Sequence, residues 1–159
     1  MNSDINKLAK AFSDDIIREA RRLMSSEMGI NEKTGTNTLK NSNLYKQLES
    51  EVLQNENDLI INVLFNFYIV YINWERPPFY KKWPKVSAIR DWIVSKNICP
   101  TNMTINQFTY LVGRSIYEKG HKSRPILDTL FNNTDKLWEN YYADEFFQTL
   151  IKPITDYFN

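Results

Sequence analysis

The sequence is poor in the two residue types that most often build metal sites and nucleophilic centres. It contains one cysteine, Cys99, and one histidine, His121, among 159 residues. A single cysteine excludes an intrachain disulfide and a cysteine-based zinc site, and a single histidine excludes histidine-pair metal motifs. A Cys99–His121 nucleophile pair has no evident third group to orient it. We therefore expect no metal, no cofactor and no enzymatic activity.

Glycine and long apolar runs are scarce as well. None of the four glycines stands in the spacing of a phosphate-binding loop or a dinucleotide fingerprint. The most apolar stretch, residues 59–72, covers 14 residues, whereas a membrane-spanning helix needs roughly 20. The first residues show no apolar core followed by a small-residue cleavage site. We expect no nucleotide binding, no membrane association and an intracellular folding compartment.

Net charge is nearly absent. Twenty Lys and Arg oppose nineteen Asp and Glu, which leaves a formal charge of +1, so no global field attracts the chain to a polyanion. A local exception lies in residues 80–90, where basic side chains alternate with aromatic ones in a pattern that suits phosphates and stacked bases: Tyr80, Lys81, Lys82, Trp83, Lys85 and Arg90. Nucleic-acid contact through this segment is therefore an alternative function.

The patterning that is present predicts an α+β fold. Its expected parts are a long N-terminal helix, a small antiparallel hairpin, several short helices and a C-terminal helix. Apolar residues make up 42% and charged residues 25% of the chain, a mixture typical of a folded domain. We expect a single structural domain over residues 1–159, in which residues 131–159 form a helical segment that packs on the domain or on a neighbour.

The first half of the chain contains the clearest helix and the hairpin. Steps of three and four between apolar residues predict a helix over residues 4–28, ended by a left-handed Gly29. Residues 54–57 resemble a turn between strands in residues 44–53 and 59–65. Residues 66–73 fit either a strand or a short helix.

The second half is mainly helical. One helix is expected over residues 87–96, and Thr104 with Gln107 forms a capping box that begins another, ended by Gly120. The connector of residues 97–103 is too long for a helix-turn-helix motif. A final helix is expected from Thr134 to about Lys152.

The order of these segments resembles the neck and tail-completion proteins of tailed phages, also described as head–tail connectors or minor tail components. The pieces that carry the resemblance occur in the same order as in that family: Thr34-Gly35, Leu39, Ser42, Tyr68-Ile69-Val70-Tyr71 and Ile89-Arg90-Asp91-Trp92. The most specific piece is the helix end and loop of residues 116–127, where Ile116 is followed by Gly120 and then by Arg124-Pro125-Ile126-Leu127. The similarity covers most of residues 1–130.

The resemblance implies a virion protein, assembled in the host cytoplasm, that forms a homo-oligomeric ring and contacts portal, neck or tail subunits. Such a protein acts by shape and contact, and aromatic side chains are the usual anchors of interfaces. The candidate interface residues are Arg124, Pro125, Tyr71, Trp74, Trp83, Trp138 and Tyr142. For Arg124, bonding to carbonyls at the end of the preceding helix is the alternative to an interface role.

Two other functions follow in rank. A small nucleic-acid-binding or regulatory adaptor would use residues 80–90, and salt-dependent binding to DNA distinguishes it from a virion protein. An enzyme would need catalytic groups from another chain or a carboxylate site that the sequence does not reveal.

Overall fold

The computed structural model describes residues 3–55, 58–66 and 68–158, and it has the expected α+β fold. In chain order the helices are α1 (Ser3–Ser25), α2 (Asn43–Lys46), α3 (Tyr68–Asn73), α4 (Val86–Lys96), α5 (Ile105–Lys119), α6 (Ile126–Leu137) and α7 (Ala143–Phe158). The strands are β1 (Ile30–Asn31), β2 (Thr36–Asn37), β3 (Glu49–Gln54) and β4 (Leu59–Leu64), and they form two antiparallel pairs, β1–β2 and β3–β4.

Helix α1 follows its sequence pattern closely. Its buried positions recur every three or four residues, as a helix with one core-facing side requires: Ile5, Ala9, Phe12, Ile16, Ala20 and Leu23. The prediction of a left-handed Gly29 is wrong, because the positive-φ glycines are Gly35 and Gly120. Gly29 is needed for a different reason, since a Cβ at this position would lie 2.0 Å from the Met24 carbonyl oxygen.

The hairpin β3–β4 confirms the predicted strand pair, with Val52 opposite Ile61 in the register. The Asn55 N–H donates to the Asp58 carbonyl oxygen over 2.9 Å and closes the connection between the two strands. Residues 56 and 57 lie outside the described residues. Leu44 belongs to the single turn of α2, which Ser42 caps by accepting the Tyr45 N–H. The first strand therefore begins later than the sequence suggested.

Residues 68–73, which the sequence left open between strand and helix, form helix α3. The Asn66 side-chain oxygen accepts the Tyr68 N–H over 3.1 Å, as a residue preceding a helix commonly does. Ile69 and Ile72 are both buried, and their spacing of three places them on one face of the helix. Burial of that face favours the helix over an extended strand.

The C-terminal helix begins eight residues before the predicted start at Thr134, because α6 starts at Ile126, directly after Pro125. A π-helical segment, Trp138–Tyr142, joins α6 to α7 without a break. Asn132 and Asn133 lie within α6. The Asn133 amide donates to Glu19 of α1 over 2.6 Å. Pro153 lies inside α7 and does not end it either.

The chain divides into two compact units. Unit 2 is the continuous segment Trp74–Ser123, and unit 1 consists of the described residues on either side of it. In unit 1, α1 packs against the β3–β4 hairpin and against α6 and α7. In unit 2, α4 packs against α5, and the capping box of Thr104 and Gln107 is present as predicted. The single-domain prediction is not tested by this division and stays a prediction.

Candidate protein-binding surfaces

Unit 2 exposes a group of aromatic rings that contact one another. The Trp83 ring stacks on Tyr110 with centroids 5.9 Å apart and lies 5.0 Å from the ring of Tyr117. Phe79 meets Tyr117 edge to face at 5.7 Å. Phe79 is 66% exposed and Tyr110 is 58% exposed, so the rings form a surface and not a core. We call Phe79, Tyr80, Trp83, Tyr110 and Tyr117 the aromatic surface.

Helix α5 positions this surface. Tyr110 and Tyr117 are seven residues apart, which is close to two helical turns, so they lie on the same face. Gly113 lies between them, and a Cβ there would meet the Trp83 indole nitrogen at 3.3 Å. A glycine inside a helix lowers helix stability by about 1 kcal/mol relative to alanine. Here it allows the Trp83 ring to lie against the helix, a role that the sequence analysis missed.

The proline-rich loop that carries Phe79, Tyr80 and Trp83 is fixed by backbone bonds. The Phe79 N–H donates to the Tyr117 carbonyl oxygen over 2.7 Å, and Arg76 and His121 exchange two backbone hydrogen bonds of 3.0 and 2.8 Å. The Arg76 guanidinium donates to the Lys82 carbonyl oxygen and lies over the Tyr80 ring. These contacts restrain the loop within unit 2.

Gly120 makes the bridge between Arg76 and His121 sterically possible. Its φ of +61° and ψ of −167° lie in a region that is essentially restricted to glycine. A Cβ at Gly120 would approach the Arg76 carbonyl oxygen to 2.2 Å. The prediction that Gly120 ends α5 with positive φ is confirmed, although its ψ is extended and not that of a left-handed helix.

Unit 2 has a net positive charge, whereas unit 1 has a net negative one. Its segment contains nine Lys and Arg against three Asp and Glu, a formal charge of +6. Lys81, Lys82 and Lys85 are exposed beside the aromatic residues of the loop. The charge of +1 for the whole chain hides this asymmetry, because unit 1 is acidic. Counting charges over the whole sequence missed it, and counting them by structural unit reveals it.

A second exposed apolar surface lies on the C-terminal helix of unit 1. The apolar side chains that remain exposed along it are Phe131, Tyr141, Phe147, Leu150, Ile154, Tyr157 and Phe158. From Phe147 onward the spacing of three and four residues places Phe147, Leu150 and Ile154 along one side of α7. These three residues define the α7 stripe.

Arg124, a predicted interface residue, makes contacts within unit 1. Its guanidinium donates to the Gly29 carbonyl oxygen over 3.0 Å and to the Thr38 hydroxyl over 3.1 Å, and burial lowers the pKa of the guanidinium. The acceptor is thus not the end of α5, as the alternative interpretation proposed, but a carbonyl in the segment after α1. Pro125 is exposed at the start of α6.

The five predicted aromatic interface residues separate into two groups. Tyr71, Trp74 and Trp83 are exposed, at 42%, 59% and 40%. Trp138 and Tyr142 instead pack against Phe12 of α1, with ring centroids 5.3 and 4.9 Å from it. Their side chains belong to the core of unit 1, so a partner could reach Tyr142 only after repacking. The sequence made them candidate interface residues because aromatic side chains are the usual anchors of interfaces.

Tyr142 has a strongly raised pKa. Its hydroxyl donates to Asp15 over 2.7 Å. Burial, followed by this hydrogen bond to a carboxylate, raises the pKa of the phenol to about 12. Both causes favour the neutral phenol, so Tyr142 acts as a structural donor and not as an acid or base near neutral pH.

A groove of about 490 Å³ on unit 1 is lined by three arginines of α1 and by Tyr45. Arg18 and Arg22 already pair with Asp15 and Glu19, and the bond from Arg22 lowers the pKa of the Glu19 carboxyl. Arg21 lies over the Tyr45 ring, 5.6 Å from its centroid. The positive charge of the groove is thus largely matched by its own acidic neighbours.

Two further findings concern sites of other kinds. Among the described residues, no group of three or more His, Cys, Asp or Glu side chains is arranged to hold a metal ion. Within the same ranges, no helix is both long and apolar enough to cross a bilayer.

Comparison of the chain with protein-family models, with curated proteins and with solved structures finds no match.

Proposed function

We propose that this protein is a structural virion subunit of a tailed phage that acts through protein–protein contacts in a ring at the neck or head–tail junction. The observation that carries the proposal is the aromatic surface of unit 2. Rigid aromatic side chains give large contact areas at low entropic cost and dominate interface energies when a partner covers them. The internal bonds that restrain the proline-rich loop further reduce the conformational entropy that is lost on binding.

The class of particle follows from the resemblance of the sequence to neck and tail-completion proteins. Its most specific piece spans residues 116–127, and the structure gives these residues well-defined contacts. Gly120 makes the sharp turn after α5, and Ile126 is fully buried at the start of α6. Such contacts suit an interface segment, and they equally suit a segment that only stabilises the fold.

The experiment is a size measurement of the purified protein by light scattering, alone and after mixing with partly assembled particles of the phage that encodes it. A structural subunit is expected to form a discrete oligomer or to sediment with the particles. The double variant Phe79→Ser/Tyr110→Ser should lose this behaviour, while Tyr68→Ser, which alters an exposed tyrosine of unit 1, should retain it. A protein that stays monomeric and never sediments with particles would refute the proposal.

The charge of unit 2 favours a second candidate function, in which Lys81, Lys82 and Lys85 bind phosphates and the exposed rings of Tyr80 and Trp83 stack with bases. Binding of a labelled single-stranded oligonucleotide at increasing salt tests it. A nucleic-acid-binding protein would lose affinity steeply with salt, because each neutralised phosphate releases counterions. Affinity that is absent at low salt would remove this candidate.

A further inference from the structure

The two exposed apolar surfaces carry opposite charge. Unit 2, which holds the aromatic surface, has a formal charge of +6. Residues 126–158, which form the C-terminal helix and hold the α7 stripe, contain six acidic residues against two basic ones. Asp135, Glu139 and Asp144 are all exposed on this helix. Each surface thus combines apolar area with charge that suits the other.

The α7 stripe has the form of a helix that docks on a partner. Phe147, Leu150 and Ile154 are 59%, 53% and 61% exposed, and Asp144 precedes Phe147 by one turn, so that charge borders the apolar stripe. An apolar helix face of this kind is commonly buried in a groove or against another apolar surface. An acidic border selects a basic partner.

From this juxtaposition we infer that copies of the protein associate head to tail, with the C-terminal helix of one copy docked on the aromatic surface of the next. The inference rests on the proposed structural function and names its first partner, a second copy of this chain. One pairing covers the aromatic surface and the α7 stripe and brings opposite net charges together. A nucleic acid would cover only the basic surface and leave the α7 stripe exposed.

The geometry of such a contact has a consequence for assembly. The two docking surfaces are different, so each copy that uses one of them still presents the other. A heterologous contact of this kind continues from copy to copy and gives a ring when the rotation closes. When the rotation does not close, the same contact gives an open filament.

The test is sedimentation velocity with two charge-reversal variants. The unit 2 variant is Lys81→Glu/Lys82→Glu/Lys85→Glu, and the helix variant is Asp135→Lys/Glu139→Lys/Asp144→Lys. Each alone places like charges on the two docking surfaces and should remain monomeric at concentrations where the wild type assembles. Mixed in equal amounts, the two variants should assemble again, because the three glutamates in the loop of one now meet the three lysines on the helix of the other.

A matched control carries the same change in charge elsewhere. Lys33→Glu/Lys40→Glu/Lys46→Glu alters three exposed lysines of unit 1 that lie outside both surfaces and should assemble like the wild type. Circular dichroism establishes that every variant is folded before its size is measured.

Three outcomes would overturn the inference. Assembly of both reversal variants like the wild type would place the ring contacts elsewhere, while the proposed structural function would stand. Failure of the mixed variants to assemble would show that the two surfaces do not meet. A monomeric wild type whose unit 2 variant loses binding to a labelled single-stranded oligonucleotide would assign the basic surface to nucleic acid.

Discussion

Units 1 and 2 differ in whether an apolar core buries aromatic side chains. In unit 1, Phe12, Tyr142 and Phe146 are buried within one apolar core. In unit 2, Phe79 and Tyr110 remain exposed, and the buried apolar residues that the structure describes there are few, notably Ile89 and Ile93 of α4. Unit 1 is therefore built mainly by burial of apolar area, the dominant stabilising effect in folding.

Unit 2 depends more on local backbone chemistry. The capping box of Thr104 and Gln107 begins α5, Asn97 with φ of 50° ends α4, and the backbone bonds between Arg76 and His121 join the two ends of the segment. Regions with few buried apolar contacts commonly open at lower free energy than the core. The comparison indicates that unit 1 is stabilised mainly by its core, whereas unit 2 is stabilised more by local backbone bonds.

The largest expected effect is the loss of the Phe12 ring, which contacts Trp138 and Tyr142. Phe12→Ala should destabilise the protein by about 3–5 kcal/mol, because it removes buried apolar area and leaves a cavity. Chemical denaturation followed by circular dichroism measures the change. Phe131→Ala, at a side chain that is 65% exposed, is the control and should change stability by about 0.5 kcal/mol or less. Equal losses in both variants would contradict the assignment of the core.

Gly120→Ala should destabilise unit 2. We expect a loss of about 2–4 kcal/mol, because alanine is strained at this φ and ψ and its Cβ would meet the Arg76 carbonyl oxygen. Hydrogen exchange should accelerate mainly in α4 and α5. Gly35→Ala is the control, since its φ is also positive but a Cβ there meets nothing within 4 Å. Accelerated exchange throughout both units would instead support the single cooperative domain that the sequence predicts.

Arg124→Ala distinguishes the two roles considered for this residue. Loss of its bonds to Gly29 and Thr38 should lower stability by about 1.5–3 kcal/mol, since a hydrogen bond from a charged group is lost and two acceptors lose their donor. Thermal denaturation and sedimentation velocity are measured on the same samples. Arg90→Ala, at an exposed arginine of α4, should melt like the wild type. An unchanged melting temperature together with lost assembly would restore the interface role.

The smallest expected effect concerns Tyr142 and pH. Its pKa is raised from 10.0 to about 12 in the folded state, so its contribution to stability is complete below pH 10 and is lost as the pH rises through about 12. Tyr142→Phe should cost about 1–2 kcal/mol at neutral pH, through the lost hydrogen bond to Asp15. The difference from the wild type should narrow between pH 10 and pH 12. A stability difference that stays constant from pH 10 to pH 12 would exclude the hydrogen bond to Asp15 as its cause. An equal loss of stability in Tyr141→Phe, at an exposed tyrosine, would exclude it as well.

Much of the fold could be predicted from the sequence because its signals are local. The steps of three and four along α1, the capping box of Thr104 and Gln107, and the paired strands around residues 54–59 each depend on residues close together in the chain. The contacts of the C-terminal helix with α1 could not be predicted in this way, because bonds such as that between Asn133 and Glu19 join residues more than one hundred positions apart.

The candidate surfaces were predicted only in part, for the same reason. The sequence by itself determined that Trp83 and its basic neighbours lie in a proline-rich segment and that Gly120 turns the chain after α5, because proline and glycine restrict or free the backbone wherever they occur. Only the tertiary structure decided that Tyr142 is buried and that Trp138 packs against the same core while Tyr110 is exposed, since burial depends on which distant elements meet. The excess of positive charge in unit 2 could be read from the sequence, because unit 2 is a continuous segment, but only the structure defined where that segment begins and ends.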